Sequence, residues 1–282
     1  AEWEETFDKY KQTPEYGFDL ARHFNYHEDI AITEAVKWLR ERKSEKPLCL
    51  FVGSNWPHVP WPEEAPGIDP DKLIIPPNHV DNATTRQWRA RYVAAIGKMD
   101  AELGLVHDTA IEILGEDTFF LHTSDHGAQW PFGKWTLYED GVRTPLLVSW
   151  PGRIAAGTRS GAMVSWIDIL PTLASLAEGS LPDYKIDGGD ISPILLGQAD
   201  AVSPHAERYL IFSGLSLEAI RSGPWKLFLS QPPRAKGQKG KKDGDENVGP
   251  HLFNLENDIG ESQNVAAAHP DVVAKLQAMA KE

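Results

Sequence analysis

Hydrophobic positions alternate between short solid runs and longer periodic stretches along the chain. Ile32, Ala35, Val36 and Leu39 recur at helical spacing, so residues 29–43 are predicted helical, with Asp29 as N-cap. After Pro47 comes the compact run Leu48-Cys49-Leu50-Phe51-Val52, which reads as a strand buried on both faces with Cys49 as core filler. It empties into Ser54-Asn55-Trp56-Pro57-His58-Val59-Pro60, where prolines forbid regular structure, and a proline- and acid-rich loop continues over 60–82. Residues 84–114 carry the longest helical pattern, with Trp88, Tyr92, Ala95, Ile96, Met99, Leu103, Val106, Ala110 and Ile113 inward and Gly115 as its stop. The runs 118–123 and 146–150 read as further strands, and residues 167–178 resume a helical pattern. Strands alternating with helices predict a doubly wound α/β core, whose functional groups gather in loops after the strand C-terminal ends. Two such loops are 54–60 and 124–134. Residues 1–28 show no clean period and read as loop.

Past about residue 205 the texture changes. Tyr209–Phe212, Trp225–Leu229 and 251–255 read as short strands, Gly223-Pro224 as a turn, and a last helix begins near 270. The predicted organisation is a larger α/β part, 1–205, and a small antiparallel α+β subdomain, 206–282. The Lys/Gly-rich stretch 234–245 reads as a solvated loop.

Composition narrows the class. The chain has 282 residues, of which 41% are hydrophobic and 24% charged, a globular balance that excludes a disordered chain or a disulfide scaffold. Its formal net charge of −13 argues against coating nucleic acid or anionic lipid, so an anion must be handled by a local cluster or a metal ion. The single Cys49 excludes an intrachain disulfide. No run of about 18 apolar residues exists, so no membrane span is expected. The start at Ala1, polar and without Met, is what a processed chain or a fragment lacking its front looks like.

Four residues stand out chemically. Asp125 and His126, just past a strand and followed by Gly127, suit metal ligation, or simply cap the next segment. Lys134, nine residues after Asp125 and between aromatics, suits clamping an anionic oxygen, or is a solvated loop lysine. His58, in its proline-bounded loop, can donate a proton near neutral pH, or packs the loop.

The ordered series weighs between these readings. Ser54-x-x-Pro57-His58-x-Pro60 precedes the long helix. Thr123-Ser124-Asp125-His126-Gly127 follows it, then Gly133-Lys134-Trp135-x-Leu137-Tyr138-Glu139-Asp140-Gly141-Val142-Arg143-Thr144-Pro145 and Trp150-Pro151-Gly152. Later come Ala219-Ile220-Arg221-Ser222-Gly223-Pro224-Trp225-Lys226-Leu227 and Leu252-Phe253-Asn254-Leu255. From about residue 20 onward this resembles the sulfatases of the alkaline-phosphatase-like superfamily. The resemblance implies that fold and a sulfuric ester hydrolase acting on a sulfated sugar or aryl sulfate. It implies a divalent metal ion, calcium in the family, with Asp125 and His126 among its ligands. It further implies Lys134 on the sulfate, and His58 both binding sulfate and protonating the leaving oxygen. His126 stands where the family usually has Asn, and Asp140 where it has Gly, while Arg143 reads as structural. The short gap from Asp125 to Lys134 looks most like sulfamidase-type members acting on glycosaminoglycan-like sugars.

The family's Asp-Asp pair and its Cys/Ser-x-Pro-x-Arg motif, whose oxidised residue is the formylglycine nucleophile, do not appear before residue 48. Ser230-Gln231-Pro232-Pro233-Arg234 fits only by letters, and Gly127 to Lys134 imitates a P-loop with the wrong spacing. The resemblance thus implies a C-terminal portion, inactive alone. A phosphoester or phosphonate hydrolase of the same superfamily and a catalytically dead binder of sulfated glycans are the alternatives. A periplasmic or secreted location follows from the resemblance only, and oligomeric state is left open.

Overall fold

The structure is a computed structural model that describes residues 30–230 and 249–281. The expected Asp29 cap, the loop 1–28, the Lys/Gly stretch and the 231–234 letters lie outside the described residues. The chain divides into two compact units, Ala1–Ile75 with Asp81–Thr118, and Pro76–Val80 with Phe119–Glu282. Residues 205 and 206 both lie in the second.

In the first unit, α1 (Ile30–Glu41) buries Ile32, Ala35, Val36 and Leu39, the face that the periodicity predicts. It packs on α2 (Ala83–Leu114). Asn82 caps α2, its side chain accepting a hydrogen bond from the Thr85 amide at 2.9 Å, and the Gly115 amide closes the other end on the Ile111 carbonyl. Of the predicted inner face, Ala95, Val106 and Ala110 are buried, whereas Trp88 and Ile113 are exposed. At 1.5 Å per residue α2 is about 48 Å long and α1 about 18 Å, so α1 covers only part of that stripe.

Leu48–Val52 corrects a sequence expectation. It pairs in no ladder among the described residues, Phe51 is 78% exposed, and Cys49 is exposed rather than core filler. Apolar β-formers supply propensity, but a strand exists only where a neighbour completes its hydrogen bonds.

In the second unit, β1 (Phe120–Thr123) pairs antiparallel with β2 (Leu146–Ser149), Phe120 opposite Ser149 and Thr123 opposite Leu146. The connection between them holds the short helix α3 (Glu139–Val142). α4 (Ile169–Leu176) and α5 (Ser192–Leu195) follow. Four strands then form an antiparallel meander: β3 (Tyr209–Ser213), β4 (Ser216–Ser222), β5 (Trp225–Phe228) and β6 (His251–Asn254). β4 was not anticipated, because its polar ends hide a short apolar centre.

Alternation along these strands makes two cores. Ile220, Leu227 and Leu252 pack against Leu276 of α6 (Pro270–Met279). Ala219, Phe228 and Phe253 face the other way and take up Leu137 and Tyr138, the residues just before α3. The sheet is therefore the floor beneath the connection between β1 and β2.

Candidate active site

The segment from Ser124 to Arg143 folds back on itself because three glycines let its backbone strands touch. A Cβ on Gly127 would lie 1.7 Å from the Asp140 carbonyl oxygen, one on Gly133 2.1 Å from that of Ala128, and one on Gly141 2.4 Å from that of Thr136. With no side chain there, Gly127 N–H donates to the Gly141 carbonyl at 2.9 Å, and Lys134 N–H donates to Ala128 at 2.9 Å. Thr136 is buried and its hydroxyl donates to Gly133 at 2.8 Å. The fold-back thus brings Lys134 to the stretch that directly follows Asp125 and His126, two candidates nine residues apart in sequence.

Strain is concentrated around Lys134. Phe132 (φ 63°) and Trp135 (φ 70°) both take the left-handed conformation that side chains disfavour. Such strain persists where surroundings over-determine it and clusters at functional sites. Trp135 is 75% exposed, and the Lys134 ammonium lies 5.2 Å from its ring centroid.

The acid–imidazole doublet is organised locally. Asp125 Oδ1 accepts from the His126 amide at 3.0 Å. A carbonyl can only accept, so His126 Nδ1, 2.8 Å from the Gly127 carbonyl, carries a hydrogen. The other nitrogen, Nε2, lies 3.2 Å from Asp125 Oδ2. The Ser124 carbonyl accepts the Trp166 indole N–H at 2.8 Å, which ties this turn to the segment before α4.

That anchoring segment rests on a buried pair. Asp168 is fully buried, and both its oxygens lie 2.9 Å from Nε2 of buried His205. The same carboxylate accepts from the Ser165 and Gly189 amides at 2.7 and 2.9 Å. Asp140 is likewise held, by Asn78 Nδ2 at 2.9 Å and His79 Nε2 at 3.3 Å. Arg143 is exposed and its amide closes α3 on the Glu139 carbonyl.

His58 belongs to the first unit. Its amide donates to the Asn55 carbonyl at 2.9 Å, and its Nδ1 donates to the Val59 carbonyl at 2.6 Å. The loop is fastened to α2 by Ser54, whose hydroxyl donates to Glu102 at 2.6 Å, and by Trp56, buried with the Lys98 ammonium 5.5 Å from its ring. Trp61 packs on Tyr92 at 5.2 Å.

Residues 1–180 match the family Sulfatase, and residues 203–282 match the C-terminal region of aryl-sulfatase. The chain belongs to the sulfatase family. Human arylsulfatase A is 31% identical over 263 residues, covering 84% of this chain and 48% of that protein. Rat arylsulfatase G is 28% identical over 266 residues, covering 84% and 47%. A Bacteroides thetaiotaomicron protein, solved in work on metabolism of multiple glycosaminoglycans, superposes with a TM-score of 0.67 at 26% identity, covering 90% of this chain and 53% of that one. This sulfatase chain therefore has the alkaline-phosphatase-like α/β fold, and it spans about half the length of the curated relatives it matches.

Sulfatases generally use a divalent metal ion and a formylglycine. Asp125 and His126 fit such an ion in donor type, but a hard cation takes about six to eight oxygens. Among the described residues no three His, Cys, Asp or Glu side chains gather to hold one. The doublet alone does not constitute such a site, and no chemical step is derived through the ion.

Sequence reasoning missed the braces under this loop. The Glu139 carboxylate is buried against Lys226 and Arg221, and Lys226 also pairs with Glu261 at 2.9 Å. A lysine between Trp225 and Leu227 in a strand was the available signal, since a charge inside an apolar run is tolerated only when paired.

Proposed function

We propose that this sulfatase chain serves hydrolysis of sulfuric esters, with a sulfated sugar as substrate and an aryl sulfate as its simple analogue. The observation that carries the reading is the glycine-locked fold-back, which seats the Lys134 backbone beside the turn of Asp125 and His126. Lys134 supplies a point positive charge for a sulfate oxygen, where negative charge builds as the S–O bond breaks. His58 acts as an imidazolium: Nδ1–H stays on the Val59 carbonyl, and the Nε2 proton passes to the departing sugar or aryl oxygen, leaving the neutral Nδ1–H imidazole. The exposed face of Trp135 offers an apolar surface for the ring that bears the ester. A hydrated formylglycine supplies the nucleophile when present. Asp125 and His126 are proposed as two ligands of the divalent ion, calcium being the family's choice. Residues 206–282 are proposed as a subdomain supporting the catalytic part, 1–205.

The test is aryl sulfate turnover by the protein in which these residues are joined to a Cys/Ser-x-Pro-x-Arg segment. Lys134→Ala is expected to lower kcat by roughly 100- to 1,000-fold. His58→Ala should cost roughly 100-fold or more on a sugar sulfate, whose alkoxide leaves poorly, and much less on 4-nitrophenyl sulfate, whose phenolate needs little protonation. Turnover insensitive to both substitutions sinks these roles. Binding of sulfated glycan without any turnover would make the protein a binding module instead.

A further inference from the structure

Arg221 of β4 and Lys226 of β5 are direct cross-strand partners. Like charges in that register repel and destabilise a sheet unless an anion stands between them. Lys226 is fully buried, on the sheet face that carries Ala219 and Phe228, its ammonium 5.3 Å from the Phe228 ring. The anion between the two cations is Glu139. Its Oε1 lies 3.1 Å from Lys226 Nζ and its Oε2 3.2 Å from an Arg221 guanidinium nitrogen. Glu261 completes the cluster, pairing with Lys226 at 2.9 Å and accepting the Glu139 backbone N–H. Two cations and two carboxylates are thus brought together by three separate stretches of chain, 139, 221–226 and 261.

Glu139 opens α3, and α3 is the strip against which the candidate site folds. Gly141 accepts the Gly127 amide, and Asp140 is held by Asn78 and His79. Lys134 lies in the loop that the Gly127–Gly141 hydrogen bond closes.

We infer that Lys226 is a positioning residue: through Glu139 it fastens the C-terminal sheet to the fold-back that presents Lys134 beside Asp125 and His126. It touches no reacting atom. Its catalytic consequence rests on the role of Lys134 proposed above, whereas the fastening itself does not.

Two measurements separate these levels. Hydrogen exchange on the 282-residue chain compares wild type with Lys226→Met. The amides of Gly127, Lys134 and Gly141 should exchange at least roughly tenfold faster, while those of Ile220 and Leu227 keep their protection. Unchanged exchange at the three loop amides overturns the inference. If Lys226→Met loosens sheet and loop together, Glu139→Gln, which keeps the side chain's size, decides: acceleration confined to the loop supports the fastening and any other pattern overturns it.

In the formylglycine-bearing protein, Lys226→Met should lower kcat/KM by roughly 100-fold, the scale of a small misplacement of a binding group. Added to Lys134→Ala, it should cost less than about twofold more, because the group it positions is gone. A full additive loss overturns positioning through Lys134. Should the wild type hydrolyse no sulfate ester, the sulfatase reading falls, and the exchange experiment still judges the fastening.

Discussion

At the scale of single residues, chemistry and its support differ in how openly they show. Asp125, His126, Lys134 and His58 stand next to glycine or proline in loops after apolar runs, so their residue types announce them. What holds Lys134 to the 125–128 turn is less visible, since it depends on atoms that are missing. Gly127→Ala would drive a methyl group into the Asp140 carbonyl, which has little room to yield while Asn78 and His79 hold that residue's side chain. The expected cost is about 1–3 kcal/mol, the range for overpacking, read as a fall of several degrees in Tm. A melting curve identical to wild type would mean that the backbone contact is not there. Lys226, by contrast, gives no sign of its partners. Glu139 lies 87 residues away, and only folding makes them neighbours.

Elements were legible where periodicity was long or bounded by strong stops. α1, α2 and α6 and the strands at 120, 146, 209, 225 and 251 all lie where the pattern places them. β4 was not, because Ser216 and Ser222 dilute its apolar centre, yet Ala219 and Ile220 at that centre are fully buried. The run 48–52 failed in the opposite sense, strongly apolar but without a partner in any ladder among the described residues. Both errors share one cause: a strand's identity resides in its neighbours. The packing of the meander on α6 carries its own prediction. Leu227 is wholly buried between Ile220, Leu252 and Leu276, so Leu227→Ala should cost about 2–5 kcal/mol by chemical denaturation. A loss below about 1 kcal/mol would place Leu227 outside a close-packed core.

For the molecule as a whole, the net charge of −13 leaves anion handling to local groups, and the buried cluster around Lys226 is one place among the described residues where charge was taken out of water. Burial pushes the Glu261 carboxyl above its ordinary value, against the opposing pull of Lys226. A carboxyl raised in the folded state binds its proton more tightly there than in the unfolded chain. Its contribution is fully present below the ordinary value of about 4.3 and is lost as pH rises through the elevated one. Comparing Tm of wild type and Glu261→Gln between about pH 4 and 7, the balance should move toward wild type as pH falls. A difference that stays flat, or moves the other way, refutes an elevated Glu261. By itself the sequence determined the family and the α/β class and put forward candidate residues for the chemistry, because local pattern and side-chain type are properties of short stretches. Only tertiary structure decided that 48–52 finds no ladder among the described residues, that three glycines close the Lys134 loop, and that a lysine in a C-terminal strand neutralises a glutamate beneath it. Pairing, close approach and charge compensation are relations between distant residues, and they exist only once the chain has brought those residues together.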